Sequence, residues 1–465
     1  MALPDVKNRI LDGAMGVQGA SATGRFAAVG VAANYGQGLL TFTDAEAVEE
    51  ALGEGPLRDL LVSSLSSAKT TVYAIALQGS VAGTLSSVTA GAENAGAGTV
   101  AVSGSPRNEY DIVIEILSSG TLNEGTFRVV IDGLAGKRLT IPDEPGTYEI
   151  AGTGITLTFA GTFAEGDIYS FSATEPSATN GEMLSAVDQI LDAKLEIEWI
   201  AVAGVSSAPL WAALATKAEG AAEIFQYLFF VAQARYKAKT ETLDQWANAL
   251  SGVERGTVAS TRLQVCAGWI EEADANGQID VRGLIGMYCG VLAGRKVHQG
   301  PDAVRYGSIS AATALRSDGI NDGHIEALKD AGYVTARQII GLSGIYITSG
   351  QMMAEEGSDY NLVERRRVMD KACRLIRKAQ LFSLNDAVRI NKDGSPEGIK
   401  MLLAQSEGPL KVMVTEGEIS SGTVVAPEGQ NILSTATLKL KVRIVPLGKL
   451  SYIENETAYN NPILG

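Results

Sequence analysis

Hydrophobic and polar positions change their period several times along the chain, and each change marks a structural boundary. Arg25–Val31 (RFAAVGV) is a short apolar run that reads as a buried strand. Thr43-Asp44 then precedes a helical pattern, with Glu46 placed to favour the positive end of the helix dipole. After Gly53-Glu54-Gly55-Pro56 a second helix is predicted to about Ser67, and the β-branched run Thr70–Leu77 (TTVYAIAL) reads as a strand. Together these make one α/β unit. From about Val81 to Ala178 the text becomes short alternating runs: Thr99–Val102, Asp111–Ile116, Thr126–Ile131, Arg138–Ile141, Thr147–Ile150, Ile155–Phe159 and Asp167–Phe171. Turn residues such as Asn123-Glu124-Gly125, Asp132-Gly133 and Pro142–Gly146 separate them, and strands at a spacing of roughly 8–12 residues argue an immunoglobulin-like β-sandwich.

The longer period returns at Gly181, so the sandwich reads as an insertion. Glu182–Ala193, Ala208–Ala218 and Glu241–Leu250 are predicted helices, each followed by a strand: Ile197–Val202, Phe225–Val231 and Thr261–Ala267. That alternation means βαβ units and a largely parallel sheet. Arg282–Gly294 and Gly323–Gly332 are two more helices. In the last stretch, Ile345–Thr348 is a strand, Asn361–Gln380 a helix, Ala387–Ile390 a strand, Pro396–Gln405 a helix, and Leu410–Thr415 a strand. Thr437–Ile444 (TLKLKVRI) alternates apolar and basic residues with a period of two, and Leu450–Ile453 is a further strand. The reading is an N-terminal arm (1–24), an α/β core with a parallel-rich sheet (25–81 and 179–345), an inserted β-sandwich (82–178), and an α+β C-terminal domain (346–465) ending in an arm (447–465).

Composition narrows the function. With 46% apolar and 20% charged residues, the chain of 465 residues is an ordinary globular one with room for about three domains. Its net charge of −15 disfavours direct nucleic-acid binding. Cys266, Cys289 and Cys373 are widely spaced and odd in number, which suits a reducing compartment rather than a disulfide framework. Met1–Asp5 shows no basic-then-apolar leader, and the apolar runs at Ile224–Val231 and Leu284–Ala293 fall short of the ~18 residues of a membrane span, so neither export nor membrane insertion is expected.

Candidate chemistry is sparse. His298 and His324 do not form an HExxH pair, and Asp274–Asp280 opens like a calcium loop but places its glycine early and lacks the closing glutamate. Neither a phosphate loop nor a dinucleotide fingerprint is present, and Gly204-Val205-Ser206-Ser207-Ala208 lacks the second glycine of a nucleophile elbow. No catalytic, cofactor or metal residues are therefore assigned, and the protein is read as no enzyme. What stands out instead is surface suited to association. In the Asn361–Gln380 helix, Leu362, Met369, Ala372, Ile376 and Ala379 share one face, while Arg367, Lys371, Arg374 and Lys378 line another. An ordinary solvated face is the plain alternative. In so acidic a chain, clustered like charges at this spacing argue for a negatively charged partner. Leu438, Leu440, Val442 and Ile444 give the alternating strand an apolar face, and that strand or the next could offer a sheet edge to another subunit.

Arg25–Val31, Leu40–Asp44 and Ala51–Gly55 near the start, Val291–Arg295 with Gly300-Pro301, and Gly344–Gly350 followed by Tyr360–Arg367 resemble, in order and spacing, the contractile tail sheath proteins of bacteriophages and phage-like injection systems. The family's small-to-Arg pattern after Gly350 is replaced here by Gln351-Met352-Met353. The resemblance implies a virion structural protein, made and assembled in the host cytoplasm, whose stacked hexameric rings surround an inner tube and contract to drive it through the host envelope for genome ejection. It implies as partners copies of itself, the inner tail tube protein, and baseplate and tail terminator proteins, with no cofactor. On that basis Arg367, Lys371, Arg374 and Lys378 would face the tube. Val6 and Ile10 of the first arm, Leu438, Leu440, Val442 and Ile444, and Leu450 and Ile453 of the last arm would form sheets between subunits. Two other readings stand beside it: a surface or secreted protein whose sandwich recognises a glycan, and an α/β enzyme with a degenerate motif.

Overall fold

A computed structural model describes residues 22–238, 240–273, 279–310, 312–316, 319–391 and 396–459. Val6 and Ile10, and residues 274–278 of the calcium-like stretch, lie outside these. The first strands are Phe26–Val31 (β1), Leu39–Phe42 (β2) and Val72–Leu77 (β3), with helices Ala45–Leu52 (α1) and Pro56–Ser67 (α2) between the last two. Asp44 caps α1 by accepting from the Ala47 N–H, which satisfies a backbone donor that the first helical turn leaves open. Every residue of β1 is buried, as its uninterrupted apolar text requires of a strand covered on both faces.

The insertion contains the strands Thr89–Ala90 (β4), Thr99–Gly104 (β5), Tyr110–Ser118 (β6), Thr126–Ile131 (β7), Leu134–Ala135 (β8), Leu139–Thr140 (β9), Thr147–Ile150 (β10), Ile155–Ala160 (β11) and Ile168–Ala173 (β12). They form two antiparallel sheets, β10-β11-β5 and β4-β12-β6-β7-β8, with β9 paired to β7. Between them Phe127, Phe159, Phe163 and Phe171 build a hydrophobic cluster separate from those of the large sheet. Asp167 organises one end of it. Burial alone would raise its carboxyl pKa, but the N–H groups of Ala164, Ala95 and Gly96 donate to it and hold it below the ordinary value.

The chain then alternates as the sequence predicts: Asn180–Asp192 (α3), Trp199–Ser206 (β13), Ala208–Glu223 (α4), Phe229–Ala234 (β14), Leu243–Ala249 (α5) and Leu263–Cys266 (β15). Thr179 with Glu182, and Thr242 with Gln245, form capping boxes that start α3 and α5. The expected strand from Phe225 begins only at Phe229, because Phe225 takes a φ of +68° in the turn after α4. The large sheet runs β15-β14-β13-β1-β3-β2, parallel except where β2 meets β3. One face packs on α2, and the opposite face on α3, α4 and α5. Phe26, Trp199 and Phe229 stand in register on neighbouring strands and stack, with centroids 5.0 and 5.8 Å apart.

Next come Trp269–Ala273 (β16), Ile279–Gly283 (β17), Ile285–Ala293 (α6), Ala312–Leu315 (β18), Asp322–Asp330 (α7), Ala336–Gln338 (β19) and Ile345–Ile347 (β20). The helix expected from Arg282 thus starts three residues later, since Arg282 and Gly283 complete a hairpin with β16. Helix α6 packs on α2 through glycines. A Cβ at Gly286 would lie 2.8 Å from Ser63 Cβ, and one at Gly290 would lie 2.5 Å from Ser67 Cβ and 2.7 Å from the Ser64 carbonyl oxygen. The Ser64 hydroxyl donates to the Gly286 carbonyl across this contact.

Val363–Gln380 (α8) is the helix of the basic stripe. The chain forms two compact units, one ending at Arg367 and the other running from Val368. The second holds Ile399–Thr415 (α9), Ser421–Val425 (β21), Ile432–Thr435 (α10) and Lys441–Val445 (β22). Several expectations fail here. Ala387–Ile390 forms no strand beyond an isolated bridge at Ile390, and the expected helix Pro396–Gln405 and strand Leu410–Thr415 are one helix, α9. Pro409 looks like a break but is carried inside α9, where Ser406, Leu410 and Met413 are buried at helical spacing. The alternating strand Thr437–Ile444 is reduced to β22, paired antiparallel with β21, and Leu450–Ile453 has no regular structure.

Gly290→Val is expected to lower stability by about 3 kcal/mol, the upper part of the overpacking range. Urea unfolding of the variant beside the parent chain measures it, and an unchanged midpoint would contradict so close a helix contact.

Candidate assembly surface

The four basic positions of α8 have different surroundings. Arg367 is 1% exposed, and its guanidinium donates to Glu198 Oε2 at 2.7 Å and to the Arg295 carbonyl at 3.1 Å. Its charge also lies 5.8 Å from the centre of the Trp199 ring. Glu198 precedes β13, where its backbone N–H donates to the Arg25 carbonyl and its carbonyl accepts from Phe229. The same Oε2 accepts the Gly24 N–H at 2.9 Å, and the Gly24 carbonyl accepts from the Thr70 hydroxyl. One buried carboxylate therefore ties the residue before β1, the start of β13 and the first turns of α8. A buried ion with such partners is stable only while they stay in place.

Lys371 is half-buried and reaches Glu418 at 2.7 Å and Glu416 at 3.2 Å. Glu418 is itself buried, just beyond α9. The negative partner that the basic stripe calls for is thus found, for Arg367 and Lys371, inside the chain. These two cannot serve as tube-facing cations while they hold those bonds. Arg374 is half-buried and Lys378 exposed, so Lys378 is the stripe's outward charge. The apolar face predicted for this helix is present in part: Val368, Ala372 and Ile376 are buried, whereas Leu362, Met369 and Ala379 are half-buried.

Of the proposed intersubunit positions, Leu438 and Leu440 lie half-buried ahead of β22, and Val442 and Ile444 lie within it. Strands β21 and β22 form a sheet of two strands only, so each keeps one edge without a strand beside it among the described residues. Past Pro446 the chain runs on with Leu450 at 78%, Tyr452 at 84% and Ile453 at 73% exposure. Large apolar side chains left this open lose the stabilisation that burial would give, about 1.5–3 kcal/mol each.

Among the described residues no group of three or more His, Cys, Asp or Glu side chains could hold a metal ion, and no helix is long and apolar enough to cross a membrane. His324 caps α7 and pairs with Asp244 at 2.8 Å, and Cys266 and Cys289 are buried and free. Glu198, Glu416 and Glu418 were missed in the sequence. Glu198 alone carries a signal, as a lone acid at the head of the apolar run Trp199–Val202.

Residues 3–351 match the N-terminal domain of DUF2586, and residues 359–464 match its C-terminal domain. A putative tail sheath protein of Haemophilus phage HP1 is 28% identical over 220 residues, covering 44% of this chain and 54% of that protein. The chain thus matches about half the length of this curated relative. Two solved structures share the fold nearly end to end. The helical sheath of the anti-feeding prophage in its contracted state covers 99% of this chain and 100% of its own, with 12% identity and a TM-score of 0.55. The contracted PVC sheath complex of an extracellular contractile injection system covers 99% and 98%, with 10% identity and a TM-score of 0.56.

Glu198→Ala strands the Arg367 guanidinium in the interior and is expected to cost about 3–5 kcal/mol, whereas Glu198→Ala with Arg367→Met should lose less than the two single losses added. Urea unfolding of the two single variants and the double variant measures the coupling, and strictly additive losses would contradict the buried pair.

Proposed function

This chain belongs to the DUF2586 family and has the fold of contractile sheath proteins, and we propose that it is the structural subunit of a contractile tail sheath. In this reading subunits polymerise as stacked hexameric rings around an inner tube. Contraction drives the tube through a host envelope, and baseplate and terminator proteins bound the stack. The energy is stored in a metastable extended polymer, so the subunit itself needs no nucleotide. Contacts between unlike faces that do not close into a ring produce such stacks.

The observation that carries the reading is the likeness of fold along 99% of the chain to sheaths of two contractile systems. The C-terminal unit supports it. The tail with Leu450, Tyr452 and Ile453 has side chains suited to a sheet but no strand beside it among the described residues, and β21–β22 has edges that could receive one. We therefore assign Leu450 and Ile453 to the donated strand and Leu438, Leu440, Val442 and Ile444 to the receiving side. The same proposal gives Val6 and Ile10, which lie outside the described residues, to the other arm. The tube-facing role falls to Lys378, with Arg374 beside it, rather than to the internally paired Arg367 and Lys371. The division into arm, α/β core, immunoglobulin-like insertion and C-terminal polymerisation domain belongs to the same proposal.

Deleting residues 447–465 is expected to leave a folded chain that no longer sediments as a polymer. Analytical ultracentrifugation beside circular dichroism measures both, and polymers of ordinary length from the truncated chain would refute the arm assignment.

A further inference from the structure

Two arginines share one aromatic ring in the loop that follows α6. The guanidinium carbons of Arg295 and Arg305 lie 4.4 and 4.7 Å from the centre of the Tyr306 ring. A short 3-10 turn, Val304–Tyr306, sets the second arginine beside the ring, and Arg295 donates to the Tyr306 carbonyl at 3.3 Å. Stacking engages the flat face of a guanidinium and leaves the N–H groups along its edge to meet a carboxylate in plane. The patch sits at the amino-terminal end of the large sheet, since a Cβ at Gly24, just before β1, would lie 2.7 Å from the Ala293 carbonyl oxygen.

These cations lack a balancing acid. The chain has 53 Asp and Glu against 38 Lys and Arg, yet among the described residues no carboxylate pairs with Arg295, Lys296 or Arg305. Asp302, the acid of the same loop, is half-buried and engaged elsewhere. Burial pulls the Arg295 guanidinium below its ordinary pKa, and the Tyr306 phenol rather than a carboxylate opposes that effect. Lys296 and Arg305 are exposed, so the cationic edge is open to solvent. Two like charges held on one ring repel each other, and a carboxylate brought from outside would relieve that repulsion.

The complementary excess stands on α1. Glu46, Glu49 and Glu50 are all exposed there, and Glu49 is held by Arg58 at 3.2 Å. Glu46 and Glu50 have no cation beside them among the described residues. They stand one turn apart on the same face, a spacing at which like charges destabilise a helix. Each surface thus carries a pair of close like charges that the other would neutralise. We propose that Arg295 and Arg305 of one subunit dock onto Glu46 and Glu50 of a second copy of this chain, with Lys296 at the rim of the contact. The two surfaces are unlike, so the contact is heterologous and can propagate from copy to copy. This inference rests on the sheath reading and names one pair of faces through which its subunits meet.

Sedimentation velocity of the full-length chain over a concentration series at low salt tests it. Arg295→Glu with Arg305→Glu, and separately Glu46→Lys with Glu50→Lys, each set like charges against each other across the contact. Either pair is expected to raise the concentration at which half the chain sediments as polymer about tenfold. Arg305→Glu alone, at an exposed position, should shift it in the same direction, which keeps the test open if reversal at Arg295 disturbs the fold, as circular dichroism would reveal. All four reversals together restore opposite charges and should return the parent's value. Reversed variants that polymerise like the parent, or a fourfold variant no better than the double ones, would overturn this contact alone. A parent chain that stays monomeric at every concentration would overturn the sheath reading and this inference with it.

Discussion

A single buried carboxylate holds together the amino-terminal end of the large sheet. Glu198 accepts from the backbone of Gly24 and from the Arg367 guanidinium, and its own backbone joins Arg25 and Phe229. Arg367 in turn lies over Trp199, the middle ring of the Phe26–Trp199–Phe229 stack. Burying an ion pair is costly, and replacing it by apolar side chains is often neutral, so its value is less stability than position. It fixes where Gly24 meets the start of β13 and where the first unit ends.

The opposite end of the same sheet follows a different rule. There Val31, Gly204 and Ser206 line a small crevice, and Glu175, on the segment that leads back to α3, accepts from the Val205 N–H beside it.

Much of this was legible in the sequence where burial is two-sided. The runs that became β1 and β3 are apolar without interruption, Trp199–Val202 of β13 likewise, and Asp44 announces α1 through its side-chain cap. The short strands between β3 and α3 were legible because the turns between them are rich in glycine, proline and asparagine. Legibility failed where tertiary packing overrode local preference. Pro409 and the β-branched Val412 and Val414 argue against a helix, yet α9 buries Leu410 against Gly422 of β21, and that contact decides the matter. The basic stripe was visible as spacing, but spacing cannot say whether the balancing acids belong to a partner or to the chain. Glu198 lies far away in sequence and Glu418 closes a local turn, so neither could be matched to the stripe without the fold.

If this chain is a sheath subunit it polymerises on its own, and electron microscopy of the purified chain at raised concentration makes the polymer visible. Hollow tubes with six subunits around each ring are the expected result. A field of separate, monodisperse particles at every concentration and salt condition tried would contradict it.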